Sequence, residues 1–190
     1  AREGLEGLTL RKVARHAGVS HAAPAHHFED LRGLLAALAE EGYQRLLMYM
    51  QELPQRAGDT RHEPRTAIEG LQAVGAGYIR FAAENPGHFR TMFHHVLRDK
   101  RPYPGLSAAS RRTLDFLVSV VEACQQEGSV RQGDARRLAL YAWSTVHGIS
   151  ALMIDDQLHT NAFRTPAKEL AREITQDLYF GLAALRPPGS

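Results

Sequence analysis

From Leu138 to Ile154 the chain reads LALYAWSTVHGISALMI, a run without a charged residue. Ser144, Thr145, His147, Gly148 and Ser150 interrupt it, and it falls short of the roughly 20 strongly apolar residues that a membrane span needs. A surface helix should carry a charged face, and this one has none. It must be covered by protein on both sides, so the chain has to supply further helices with apolar stripes.

Apolar residues do recur at helical spacing along the sequence, and no run of alternating β-branched residues marks a strand. Thr9 is placed to cap a short helix through about His16, with Leu10, Val13 and Ala14 inward. Gly18 supplies a turn, because glycine enters positive φ without steric cost. Ser20 is expected to cap a second short helix to about His27, and Asp30 a long one striped by Leu31, Leu34, Leu35, Leu38, Leu46 and Leu47. The polar segment PQRAGDTRHEP, Pro54 to Pro64, reads as a loop.

Helices are then expected over 65–84, over 87–98, from about Ser107 to Glu127 with Gly128 as its stop, and from an Asp134 cap to about Gln157. Thr165-Pro166 opens a last one, with Leu170, Ile174, Leu178, Leu182 and Leu185 on one side. The fold class is all-α with about nine helices. Two short helices joined by a glycine turn outline a helix-turn-helix module at the start of the chain, set on a helical body.

A formal charge of +2 does not by itself indicate nucleic acid, so any basic argument must be local. One stretch qualifies. From Gly7 to Phe28 there is no acidic residue, while Arg11, Lys12 and Arg15 are cationic and His16, His21, His26 and His27 crowd in. Neutralising phosphate needs such charge. A solvated face of a small helix pair would read the same way, so charge alone does not decide. Counted from Ser20, Pro24 is the fourth helical residue, where the first backbone hydrogen bond would form; it is tolerable only in a first turn. His21, Ala22 and Ala23 then make a small exposed tip that lets backbone approach a base edge.

Metal and catalytic chemistry find little support. Adjacent histidines, His26-His27 and His94-His95, diverge by about 100° on a helix and do not share an ion easily. Asp156 and His159 form a lone pair. No glycine-rich phosphate loop or G-x-S-x-G elbow occurs. Cys124 is the only cysteine, which rules out an internal disulfide, suits a cytoplasmic location and fits an inert core thiol. No metal, no cofactor and no enzymatic activity are expected.

Trp143 and His147 stand one turn apart on one helix face, where they could line a ligand pocket or simply pack. The same choice holds for Phe81, Phe89, Met92, Phe93 and Phe116. Ile149, Leu152 and Met153, with Leu170, Ile174, Leu178 and Leu182 of the last helix, are assigned to a dimer interface; the alternative is a central helix inside one protomer.

The stretch LEGLTLRKVARHAGVSHAAPAHHF, Leu5 to Phe28, resembles the DNA-binding region of TetR-family transcriptional regulators, and within them a subgroup whose recognition helix reads S-x-A-A-P-Y-x-H-F. EGSVRQGD (Glu127 to Asp134) and YAWSTVHGISALM (Tyr141 to Met153) are similar to the C-terminal domain that travels with that helix. The resemblance implies a helix-turn-helix DNA-binding domain at residues 1–45, its first helix incomplete, on a ligand-binding and dimerisation domain at 46–190. It implies a homodimeric repressor released from double-stranded operator DNA by a small-molecule effector, with no membrane partner. It implies that Thr9 contacts phosphate, that Ser20 caps the recognition helix, and that His21, Ala22 and Ala23 face bases. His26 would reach the backbone, His27 would lie near the helix end, and Phe28 would pack beneath. Ala25 stands where the subgroup carries a tyrosine and Leu31 where it carries a lysine, a role Arg32 could take. Those departures motivate an alternative: a helical small-molecule-binding protein with weak or lost operator binding.

Overall fold

The computed structural model describes residues 7–20, 22–52, 66–158 and 167–182. Their regular elements are all helical: α1 (Leu10–His16), α2 (Ala23–His27), α3 (Leu31–Gln51), α4 (Ala67–Glu84), α5 (Pro86–Met92), a 3-10 turn (His95–Leu97), α6 (Pro104–Glu127), α7 (Ala135–Ile154) and α8 (Ala167–Leu182). The all-α expectation holds.

Local chemistry explains several of the helix boundaries. Thr9 Oγ1 accepts from the Lys12 amide at 3.2 Å and starts α1, and Asp30 Oδ1 accepts from the Gly33 amide at 2.7 Å and starts α3. Asp134 Oδ1 takes the Arg136 and Arg137 amides at 2.9 and 3.3 Å. Each cap satisfies donors that a helix start leaves unpaired. Gly18, at φ +66°, closes α1: its amide reaches the Arg15 carbonyl at 3.3 Å and the Val19 amide reaches the Ala14 carbonyl at 3.1 Å. That paired bonding needs a left-handed residue at this position.

Several boundaries differ from the sequence reading. The expected 87–98 helix divides, because α5 ends at Met92 and His94 Nδ1 then accepts from the Val96 amide to start the 3-10 turn. α6 starts at Pro104 rather than near Ser107, with proline in its first turn, where a missing N–H does no harm. α7 stops at Ile154 rather than Gln157. The proposed Thr165-Pro166 opening, the Pro54–Pro64 loop and Leu185 lie outside the described residues.

α4 is the hub, packing against α3, α5, α6, α7 and α8. Gly77 permits its close approach to α3, since a Cβ there would collide with the Tyr49 carbonyl. The core joins Leu46 and Met50 of α3, Phe81 and Ala82 of α4, Phe89 and Met92 of α5, Val121 and Cys124 of α6 and Ala139 of α7, all at most 3% exposed. α3 runs unbroken through the expected 45/46 division, so one continuous helix joins the short helices to the body. α7 is not buried all round within the protomer. Its inner face is covered, whereas Leu140, Tyr141 and Leu152 remain 48, 41 and 47% exposed on the other side.

Candidate functional site

α1 and α2 pack on each other as a small pair around the Gly18 turn. On them Arg11, Lys12, Arg15, His16, Ser20, Ala22, His26 and His27 are exposed, and Ala23 is half-buried. The cationic and imidazole side chains thus share an open module without an acidic residue between Gly7 and Phe28. His21 lies outside the described residues.

Ser20 is not the helix cap. α2 begins at Ala23 after Ala22, without a side-chain cap, and it is the Ser20 carbonyl that closes the first turn by accepting from the Ala23 amide at 3.1 Å. Pro24 consequently falls in the first turn, where it removes no helical hydrogen bond, and the apparent contradiction between cap and proline disappears. Val19 is left 47% exposed beside this turn, an apolar surface residue that the sequence pattern did not single out.

Arg32 is the second correction. It does not project from the module to stand in for the lysine missing at Leu31. Its guanidinium turns inward, donating to the Asp99 carbonyl at 3.1 Å and lying 5.6 Å from the Tyr103 ring centroid, with Nε buried. The first turn of α3 is thereby pinned to the segment that leads into α6.

Behind that segment lies a cavity of about 240 Å³, walled by α3, α4, α6, α7 and α8. Its lining is mostly apolar, including Leu46, Leu71, Val74, Leu117, Ala142 and Val146. Its charged lining side chains among the described residues are Lys100 and Arg111, and no carboxylate faces it. Lys100 Nζ donates to the Tyr43 hydroxyl at 2.9 Å and sits 4.5 Å from that ring's centroid. Burial lowers the Lys100 pKa from its ordinary value and raises that of the Tyr43 hydroxyl, so Tyr43 stays a neutral donor.

Of the residues read as possible pocket walls, Phe93 and Trp143 line the cavity. Phe81, Phe89 and Met92, at 0, 3 and 1% exposure, are closed into the core, and Phe116 packs against that core away from the cavity. His147 stands behind the wall, its ring 4.3 Å from that of Phe93. The Trp143 indole N–H donates to the Tyr78 hydroxyl at 3.1 Å, and that hydroxyl lies 2.9 Å from His147 Nδ1. Indole is a donor only. The Tyr78 proton therefore goes to Nδ1, which assigns a neutral His147 protonated on Nε2; the other tautomer would leave a buried hydroxyl proton without an acceptor. Burial lowers the His147 pKa and favours that neutral form.

The residues assigned to a dimer interface divide. Ile149 and Leu182 are buried within the protomer at 6 and 3% exposure, and Leu178 and Leu182 line the cavity. Helical spacing turns these side chains inward, so they belong to the wall and core. Ile174 and Met153 are partly buried against the same core, and Leu152 alone of the described set is open. The side chain of Leu170 lies outside the described residues.

Among the described residues no cluster of His, Cys, Asp or Glu is arranged to hold a metal, and no helix is long and apolar enough to cross a membrane. Cys124 is buried, and desolvation raises its thiol pKa.

Residues 71–178 match the model of the tetracyclin repressor-like C-terminal domain. A protein of unknown function from Rhodococcus sp. RHA1 is 32% identical and superposes with a TM-score of 0.76, covering 96% of this chain and 89% of that one. An uncharacterized HTH-type transcriptional regulator of Mycobacterium tuberculosis is 29% identical over 85% of this chain and 80% of its own length. The FadR transcriptional regulator of Bacillus subtilis, solved in complex with stearoyl-CoA, shares the fold at a TM-score of 0.72 and 18% identity, over 96% of this chain and 92% of that one. The exposed basic helix pair, the all-helical body with its internal cavity, and the match across more than half the chain converge: this protein belongs to the TetR family of transcriptional regulators.

Proposed function

We propose that the protein is a homodimeric DNA-binding repressor released from its operator by a small molecule that occupies the α3–α4–α6–α7–α8 cavity. The observation that carries this reading is the Arg32–Asp99 link. The cavity wall and the base of the reading module meet within two consecutive residues, Asp99 and Lys100. A ligand that moves Lys100 moves the carbonyl that holds the start of α3. It shifts the population of reader positions by as much as its affinity differs between the two arrangements.

On the DNA side, Arg11, Lys12, His26 and His27 approach phosphate, Thr9 contributes its hydroxyl beside the backbone, and the tip formed by Ser20, His21, Ala22 and Ala23 faces base edges. The second copy covers the outer faces of α7 and α8. The exposed Leu140, Tyr141 and Leu152 support this, as does Gly148, whose missing Cβ leaves open space on that side of α7. A twofold dimer presents two readers, so its operator is an inverted repeat with half-sites about one helical turn, or a multiple, apart. Selection of binding sites from a randomised duplex library tests this: such a repeat should be enriched, and a library that stays random would count against it.

The inward-turned Arg32, together with Ala25 and Leu31, supports a second reading, a helical small-molecule-binding protein with weak or lost operator binding. Tight ligand binding without enrichment of any duplex sequence would favour it.

A further inference from the structure

The cavity is apolar over most of its wall, and the charged side chains that line it among the described residues, Lys100 and Arg111, are of one sign. We propose that its natural ligand is an amphiphilic carboxylate, with its head on Lys100 and the Tyr43 hydroxyl and a medium-length alkyl tail in the apolar body. The inference rests on the cavity being a ligand site and adds the chemistry of what enters it.

Donor accounting points to the head group. An ammonium has three N–H donors and a phenol one O–H donor. The single hydrogen bond between Lys100 and Tyr43, at 2.9 Å, uses one ammonium proton and the phenol oxygen as acceptor. Two ammonium protons and the Tyr43 proton remain without a protein acceptor among the described residues, in a wall that holds no carboxylate. A half-buried cation without a counter-charge is unfavourable. A carboxylate accepts several hydrogen bonds and supplies the missing charge. Arg111, exposed at the edge of the same cavity, adds a second cation that attracts anions and repels amines.

The volume points to the tail. About 240 Å³ is below the roughly 300–1,000 Å³ typical of drug-sized sites, so the apolar body takes a medium-length alkyl tail rather than a long chain or a ring system. Leu46, Leu71, Val74 and Leu117 are the side chains that would surround it.

Trp143 lines the cavity and is the only tryptophan in the chain, so intrinsic fluorescence reports occupancy directly. Octanoate, 1-octanol and octylamine share a tail and differ in the head. Titrated into the 190-residue protein, octanoate should bind about tenfold more tightly than octanol, and octylamine more weakly than either. In Lys100→Met the octanoate preference should vanish while octanol binds as before, which also shows that the cavity is intact; Lys100→Arg should keep the preference. Equal affinity for octanoate and octanol in the unmodified protein, or a preference that survives in Lys100→Met, overturns the proposal while leaving the cavity a ligand site. Failure of all three compounds to bind overturns the ligand-site reading as well.

Discussion

The Arg32 guanidinium at the start of α3 donates to the Asp99 carbonyl oxygen at 3.1 Å, one residue before the lysine that lines the cavity. Asp99 is itself held by Arg101, which donates from its backbone amide at 3.1 Å and from Nε at 2.9 Å, and these contacts hold the Asp99 carboxyl down to about 2. The 98–103 segment is thus fixed on the side facing the reading module and half-buried on the side facing the cavity.

Arg32→Ala should disconnect the two. A hydrogen bond from a charged donor contributes about 1.5–3 kcal/mol, and Arg32 is partly solvated, so urea denaturation should give a loss of about 1–2 kcal/mol. The ratio of DNA affinities with and without octanoate should shrink at least about threefold. An unchanged ratio would remove Arg32 from the coupling route.

His147 gives a pH dependence with a definite sign. Its folded-state pKa lies below the ordinary 6.5 because burial disfavours the charged ring. The unfolded chain therefore binds the proton first as pH falls, and stability drops from about pH 6.5 downward until the folded-state pKa is passed. His147→Asn keeps an acceptor for the Tyr78 hydroxyl and cannot titrate. Between pH 7 and pH 5 its stability should fall less steeply than that of the unmodified protein. Parallel slopes would contradict the neutral-ring assignment.

Ala142 and Ala82 are both buried, at 4 and 0% exposure, but only Ala142 faces the cavity. Ala142→Phe should enter empty space and change stability by less than about 1 kcal/mol, while abolishing the Trp143 response to octanoate. Ala82→Phe has no such space, and overpacking should cost about 1–3 kcal/mol or more. Thermal melts of the two variants, read side by side, check the cavity's reality independently of any ligand.

Leu152→Glu tests the second copy. The side chain is 47% exposed in the protomer, so the substitution should alter protomer folding by less than about 0.5 kcal/mol. A charge buried between two α7 helices would be strongly unfavourable. Sedimentation velocity should show a dimer for the unmodified protein and a monomer for Leu152→Glu. A variant that sediments as the dimer would place the contact elsewhere.

The sequence disclosed those features whose causes are local. Thr9, Asp30 and Asp134 announce their helices because a cap bonds within three residues, and the glycine stops at Gly18 and Gly128 need only their own φ. The start of α6 was also legible: Pro104 after Tyr103 is proline in a first turn, a stronger signal than the serine at 107. Thr66 followed by Glu69 was another, since Thr66 Oγ1 accepts from the Glu69 amide at 3.3 Å and starts α4. Features made by distant segments were illegible. Nothing near Lys100 indicates that Tyr43, 57 positions away, accepts its hydrogen bond. Periodicity places Leu178 and Leu182 on an apolar face, but cannot say whether that face meets a second copy or a cavity. The same limit explains Arg32, whose partner is 67 residues off.

The central claim is that filling the cavity loosens the grip on DNA, and fluorescence anisotropy of a labelled duplex carrying the DNA upstream of the protein's own gene tests it most directly. At low salt the protein should bind this duplex more tightly than a scrambled one, with affinity falling steeply as salt rises. Saturating octanoate should weaken the specific complex by about 5- to 150-fold, the usual range of coupling between two sites, and the same octanoate concentration should release Lys100→Met less readily. Specific binding that octanoate does not change, while Trp143 reports a filled cavity, would contradict the account.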